Sequence, residues 1–140
     1  MGKIFKFLLY LLPWFISSII FKIDTYFYDS LNKPFFAPPS TFFKVIWPIL
    51  YLTVAIALYK NQNKILNYYK ILIINYFSNQ IYTFLFFTIK SPFITFVDSI
   101  IVFISSLFLY NETKSKWIIP YIVWNLFATT LVLSIYLMNI

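Results

Sequence analysis

Residues 71–89 read ILIINYFSNQIYTFLFFTI, a stretch that contains no charged side chain. About 20 predominantly apolar residues are what a helix needs to cross a hydrocarbon core. Within this stretch Asn75, Asn79, Tyr82 and Phe86 follow one another at helical spacing, so they share one face. Amides are costly in hydrocarbon unless paired, which turns this face toward other helices rather than toward lipid. The segment thus predicts one wall of a membrane bundle.

Four more stretches extend the reading in both directions. The first, residues 4–23, has Lys6 and Lys22 near its ends and Pro13 in its middle. The second, 41–59, has Lys44 at its entrance and Lys60 just past its exit. Residues 93–110 contain a single carboxylate, Asp98, and residues 117–138 contain no charge. A membrane barrel would instead show segments of about ten residues alternating polar and apolar, whereas these runs are continuously apolar over twice that length. The predicted fold is therefore an all-α membrane protein, a five-transmembrane-helix bundle forming one domain over residues 1–140. The first segment is longer than a signal-peptide core and lacks a clean small-x-small cleavage site, so it is read as a retained helix.

Composition agrees. Of the 140 residues 61% are hydrophobic, 24% aromatic and 11% charged, against roughly a quarter charged in an average soluble domain. So small a globule cannot hide that much apolar surface, and membrane lipid is the expected partner. The net charge of +7 comes from lysines alone. They flank the apolar runs singly or in short groups, as snorkelling anchors do, and form no basic stripe of the kind that grips nucleic acid. No histidine or cysteine is present, which excludes disulfides and ligation of zinc or haem through those side chains. No metal and no cofactor is expected. Lys3, Lys6, Lys60, Lys64, Lys70, Lys114 and Lys116 fall on one side of the predicted bundle, and Lys22, Lys33, Lys44 and Lys90 on the other. The excess of lysines on the first side places the N-terminus in the cytoplasm.

The connection between the first two helices, residues 24–40, contains Asn32, Lys33, Pro34, Pro38 and Pro39. Proline lacks an amide donor and disfavours helix at the preceding residue, so this loop is expected to be extended and stiff and to cap one end of the bundle. Read on into the second helix, Phe27 to Tyr51 is FYDSLNKPFFAPPSTFFKVIWPILY. Tyr28, Leu31, Lys33, Pro34, Phe36, Pro38, Pro39, Trp47, Leu50 and Tyr51 match, without a gap, a pattern of the translocator protein (tryptophan-rich sensory protein) family. Asn79, Phe86, Phe87 and Asp98 fit its third and fourth helices, PYIVWNLFATTL from Pro120 to Leu131 fits the fifth, and Asn139 fits a closing asparagine. The chain therefore resembles that family over nearly its whole length after the first helix. It departs in having four tryptophans and one glycine, with Phe27 and Phe36 where Trp is common, Val132 for Asn and Tyr136 for Trp. No basic residue follows Lys116, so the sterol-recognition pattern of animal members is incomplete.

Trp47 and Tyr51 share a face of the second helix, and Tyr121, Trp124, Ala128 and Leu131 a face of the last. Converging with the third-helix stripe, they would enclose a flat-walled aromatic cavity suited to a planar, mostly apolar ligand. Helical aromatic stripes also arise from packing alone, and Asn75 and Asn79 can be plain interhelical bridges. The resemblance implies porphyrin binding against the equivalents of Trp47 and Trp124. It also implies a multi-pass protein of a bacterial cell membrane, acting in porphyrin transport, sensing or disposal. An enzymatic alternative is light-dependent porphyrin degradation, for which Trp47 and Trp124 would be the catalytic side chains. A third reading is a transporter of other small hydrophobic molecules or lipids. Its coupling acid would be Asp98, about 9 Å inside the fourth helix if Ser91 caps and Pro92 opens it. Asp98 could equally accept from a neighbouring helix or from Lys90. Lys33 would meet a ligand carboxylate or fix the loop, with Pro34, Pro38 and Pro39 shaping the lid. A homodimer is an open alternative to the monomer, with no small-xxx-small stripe marking a face in the third helix.

Overall fold

The computed structural model describes residues 2–140, and every regular element among them is helical. The first apolar segment begins as α1 (Gly2–Leu11), tightens into a 3-10 turn over Leu12–Phe15 and resumes as α2 (Ile16–Ile20). The break sits at Pro13, whose ring and missing N–H interrupt the α ladder. Phe21 is already extended, with φ −110° and ψ 126°, so the helix stops at Ile20, short of the Ile23 expected from hydropathy.

The following loop departs from the extended chain expected of it. Asp24 accepts a hydrogen bond from the Phe27 amide at 3.0 Å and so caps a short helix, α3 (Thr25–Ser30). An aspartate at this position satisfies one of the free N–H groups of a helix start. Asp24 is the sequence signal for this helix, and the prolines that follow stiffen only the residues after it. Only residues 31–39 keep the stiff character, ending at Pro39 in an extended conformation (φ −62°, ψ 152°) that launches α4 (Ser40–Lys60).

A 3-10 turn over Gln62–Lys64 leads into α5 (Ile65–Thr83), which continues as a π-helical turn through Phe84–Thr88. Ser91 then caps α6 (Pro92–Thr113) by accepting from the Ile94 amide at 3.3 Å, with Pro92 in the first turn. Lys114 ends α6 in the left-handed region, φ 52°. A 3-10 turn over Lys116–Ile118 precedes α7 (Ile119–Met138).

Four of these stretches, Gly2–Ile20, Ser40–Lys60, Pro92–Thr113 and Lys116–Met138, are long and apolar enough to cross a membrane. The α5 segment falls outside that set because Asn67, Lys70, Asn75, Asn79 and Gln80 lower its hydropathy. Its packing is nonetheless integral to the assembly. Around the bundle α1 lies on α4, α4 touches α7, α7 packs on α6, α6 on α5, and α5 on α2, so the helices close into a ring.

Large apolar side chains cover much of the outside of this ring, and several polar ones are buried within its apolar core. Ile19 is 80% and Val123 61% exposed, while Asn75, Thr95 and Ser106 are fully buried. Contiguous apolar surface on this scale calls for a nonaqueous surrounding, and buried amides and hydroxyls supply the cohesion that hydrophobicity cannot provide between helices in lipid.

Candidate functional site

The three aromatic faces anticipated from helical spacing do meet, though not every member lines the same space. A cavity of about 30 Å³ lies between α4, α5 and α7 beneath α3, with Trp47, Tyr82, Phe86, Trp124 and Ala128 in its wall. Trp47 and Trp124 stand nearly perpendicular, 85° apart with ring centroids at 6.0 Å, an edge-to-face pair. Tyr82 is 6.3 Å from Trp47, and Phe43 is 6.2 Å from Trp124. This volume accommodates about two waters, so a larger guest requires the walls to part.

Tyr51, Asn75, Asn79 and Tyr121 stand outside that cavity. Tyr51 lies tilted against Trp47 at 5.7 Å and stacks on Trp14 at 5.9 Å. The other three form a buried polar layer. The Asn75 Nδ2 donates to the Val102 carbonyl (3.1 Å) and to Ser105 Oγ (2.8 Å), while its Oδ1 accepts from the Tyr121 hydroxyl at 3.0 Å. Asn79 Nδ2 donates to that hydroxyl at 3.1 Å, and Gln80 Nε2 donates to Asn79 Oδ1 at 3.0 Å.

Gln80 carries the layer to the broken first helix. Its Nε2 donates to the Trp14 carbonyl (3.1 Å), and its Oε1 accepts from the Ser17 amide (2.9 Å). Tyr76 donates to the Pro13 carbonyl at 2.7 Å. Backbone groups around the break at Pro13 thereby gain partners on α5, as groups in a water-poor interior require. Gln80 and Trp14 were not singled out in the sequence, because a glutamine one position off the amide stripe gives no periodic signal. The asymmetry of a proline-broken helix facing an amide-rich one was the available clue.

Among the described residues three buried side-chain polar atoms lack a hydrogen-bond partner: Trp124 Nε1, Asn125 Nδ2 and Asp98 Oδ2. Trp124 belongs to the cavity wall, and its N–H is buried without an acceptor. Asn125 lines a void of about 10 Å³ with Asn79, Tyr82 and Ser99, just behind the cavity. Asp98 does not meet Lys90 as one expectation had it. Lys90 instead pairs with Asp24 at 3.7 Å across the loop side.

Over the cavity lies α3. Tyr28 is buried in the wall and donates its hydroxyl to the Pro38 carbonyl at 2.7 Å. Burial, and then the neighbouring Asp29 charge, push its pKa up to about 12, keeping it a neutral donor. Lys33 is committed to the loop: its Nζ donates to the carbonyls of Tyr28 (3.0 Å), Leu31 (3.1 Å) and Asp29 (3.3 Å) and sits 5.0 Å from the Tyr28 ring. The Pro34 carbonyl accepts from the Ala37 amide at 3.1 Å. Asn139 clasps the loop to the end of α7, accepting from the Asn32 amide (3.0 Å) and donating to its carbonyl (2.8 Å). Phe87, Val132 and Ile135 also line the cavity without having been foreseen. Phe87 does so because the π turn, closed by Ile89 N–H to Phe84 O at 3.0 Å, advances the register by one residue.

Comparison with known sequences agrees with this architecture. The model of the TspO/MBR family matches residues 7–137. The chain is 35% identical to Tryptophan-rich protein TspO of Bacillus cereus, covering 90% of this chain and 89% of that one. It is 31% identical to Tryptophan-rich protein TspO of Archaeoglobus fulgidus, over 80% of this chain and 79% of the relative. A further relative, Uncharacterized membrane protein YtaB of Bacillus subtilis, is 28% identical over 89% and 87% of the two chains.

Proposed function

The chain belongs to the TspO/MBR family, and from that premise we propose that it is a membrane binding protein for porphyrin-like tetrapyrroles, acting in their transport, sensing or disposal. All five long helical segments, α5 included, would cross the bilayer, with the N-terminus cytoplasmic and the loop over residues 24–40 serving as a lid. The observation that carries the reading is the edge-to-face Trp47–Trp124 pair in the wall of an aromatic cavity, with the Trp124 Nε1 buried and unpartnered. A buried donor left unsatisfied costs about 1–3 kcal/mol, and a guest bearing an acceptor would relieve that cost. Flat aromatic walls favour a flat guest.

Protoporphyrin IX titrated into the purified protein in the dark, read by tryptophan fluorescence, tests this. Saturable quenching is expected, weakened about tenfold by Trp124→Phe, which removes the donor while keeping an aromatic ring. Retention of full affinity in both Trp124→Phe and Trp47→Phe would put any ligand elsewhere.

A second reading, light-dependent degradation of the porphyrin, draws on the relay of oxidisable rings running inward. Trp124, Trp47, Tyr51 and Trp14 succeed one another at centroid distances of 6.0, 5.7 and 5.9 Å. Under illumination this reading requires loss of the porphyrin absorbance in the wild type and its persistence in Trp47→Phe, even at saturating ligand.

A further inference from the structure

Beside the closed cavity lies a much larger space. A groove of about 420 Å³ runs between α2 and α4, and it shares Ile23, Phe43, Trp47 and Thr83 with the cavity wall. The two are neighbours through a partition made largely by the Phe43 and Trp47 side chains. Ligand sites for compact organic molecules occupy roughly 300–1,000 Å³. The groove reaches that range as it stands, and the cavity does so only after the partition moves.

The rim of the groove carries two lysines, Lys22 just past α2 and Lys44 in the second turn of α4. Lys44 lies three residues before Trp47, on the same helix face. Both lysines are exposed, and among the described residues the only ion pair is Lys90 with Asp24. That pairing occupies one of the two carboxylates of the 24–40 loop, and the other, Asp29, is exposed on α3. The charges of Lys22 and Lys44 are thus left uncompensated beside aromatic walls formed by Phe15, Phe21 and Trp47.

We infer that this groove is a distinct subsite, which receives the anionic edge of a carboxylate-bearing planar amphiphile on Lys22 and Lys44 while its apolar body lies against Trp47. The inference rests on the tetrapyrrole reading and deepens it, since it selects ligands that keep free carboxylates. An ammonium–carboxylate contact at a partly wet site contributes a modest attraction, while the apolar body supplies affinity whether or not the acid is free. Trp47, common to both spaces, is then the side chain that must swing for the guest to pass inward.

The test compares protoporphyrin IX with its dimethyl ester in zwitterionic nanodiscs, so that lipid charge does not compete. Wild type, Lys22→Gln, Lys44→Gln and the double variant are titrated, with Lys116→Gln at the opposite end as the charge control. The expected result is a Kd for the free acid about fivefold weaker for each groove lysine removed. The ester's Kd should remain within twofold throughout and the control should match wild type. Equal weakening of acid and ester would assign the lysines to the fold or to lipid anchoring, and no weakening of either would leave the groove without a ligand; each result overturns the inference while leaving the cavity reading intact. Failure of both compounds to bind wild type saturably would overturn the tetrapyrrole reading and this inference with it.

Discussion

Asp98 is the residue whose sequence context and structural setting differ most. Its carboxylate was expected to find Lys90 or a donor on a neighbouring helix, yet Oδ2 is buried without a partner while Lys90 reaches Asp24. A carboxylate that makes no bond can be neutralised without losing one, and a buried unpaired charge is itself costly. Asp98→Asn is therefore expected to leave the thermal midpoint unchanged or raise it; a fall by more than a few degrees would reveal a partner the static arrangement lacks. Lys114 offers the opposite kind of test. It holds φ 52° at the end of α6, where a side chain beyond Cα is a steric burden and glycine is favoured. Lys114→Gly should stabilise the protein by about 0.5–1 kcal/mol, visible as a higher midpoint in a detergent melting experiment.

Among the elements, the first helix depends most on its neighbours. Its two halves, α1 and α2, are joined by a 3-10 turn whose carbonyls are served by Tyr76 and Gln80. Gln80→Leu would remove three hydrogen bonds and leave the Ser17 amide and Trp14 carbonyl unsatisfied. A loss of about 1–3 kcal/mol is expected, together with faster hydrogen exchange at Ser17; unchanged protection there would show that the clamp is dispensable. The membrane helices were legible in the sequence because hydropathy over 20 residues is a strong, one-dimensional signal, and the amide face of α5 was legible because period fixes direction. Helix α3 was missed although Asp24 announced it. The split of the amides from the aromatics was not legible at all: Asn75 and Asn79 share a face with Tyr82, but depth along α5 assigns the first two to a hydrogen-bonded layer and the third to the cavity. Depth relative to other helices depends on long-range packing, which no periodicity records.

At the scale of the whole molecule the decisive property is the closed ring of helices, with a buried layer of amides and hydroxyls inside and an apolar outer surface. Because the sequence has no cysteine, single-cysteine reporters can count its crossings without background. Five crossings predict that Gln62→Cys and Lys116→Cys react with an impermeant thiol reagent from one side of sealed vesicles, and Phe35→Cys and Lys90→Cys from the other. Labelling of Lys90→Cys on the same side as Gln62→Cys would mean that α5 does not span. The site draws on this closure, since its walls come from α4, α5 and α7 with α3 above. One feature of α5 shows how finely those walls are registered. A π-helical turn is an α-helix carrying one residue more than its ladder can use, in the manner of an ancestral insertion that was kept. Deleting a single residue from the middle of a buried helix would ordinarily scramble everything beyond it. Between Phe84 and Thr88, the same deletion would let the ladder heal into plain α-helix while displacing the Phe86–Phe87 pair from the cavity. Loss of one codon there should yield a protein that still assembles in the bilayer but has forgotten its guest.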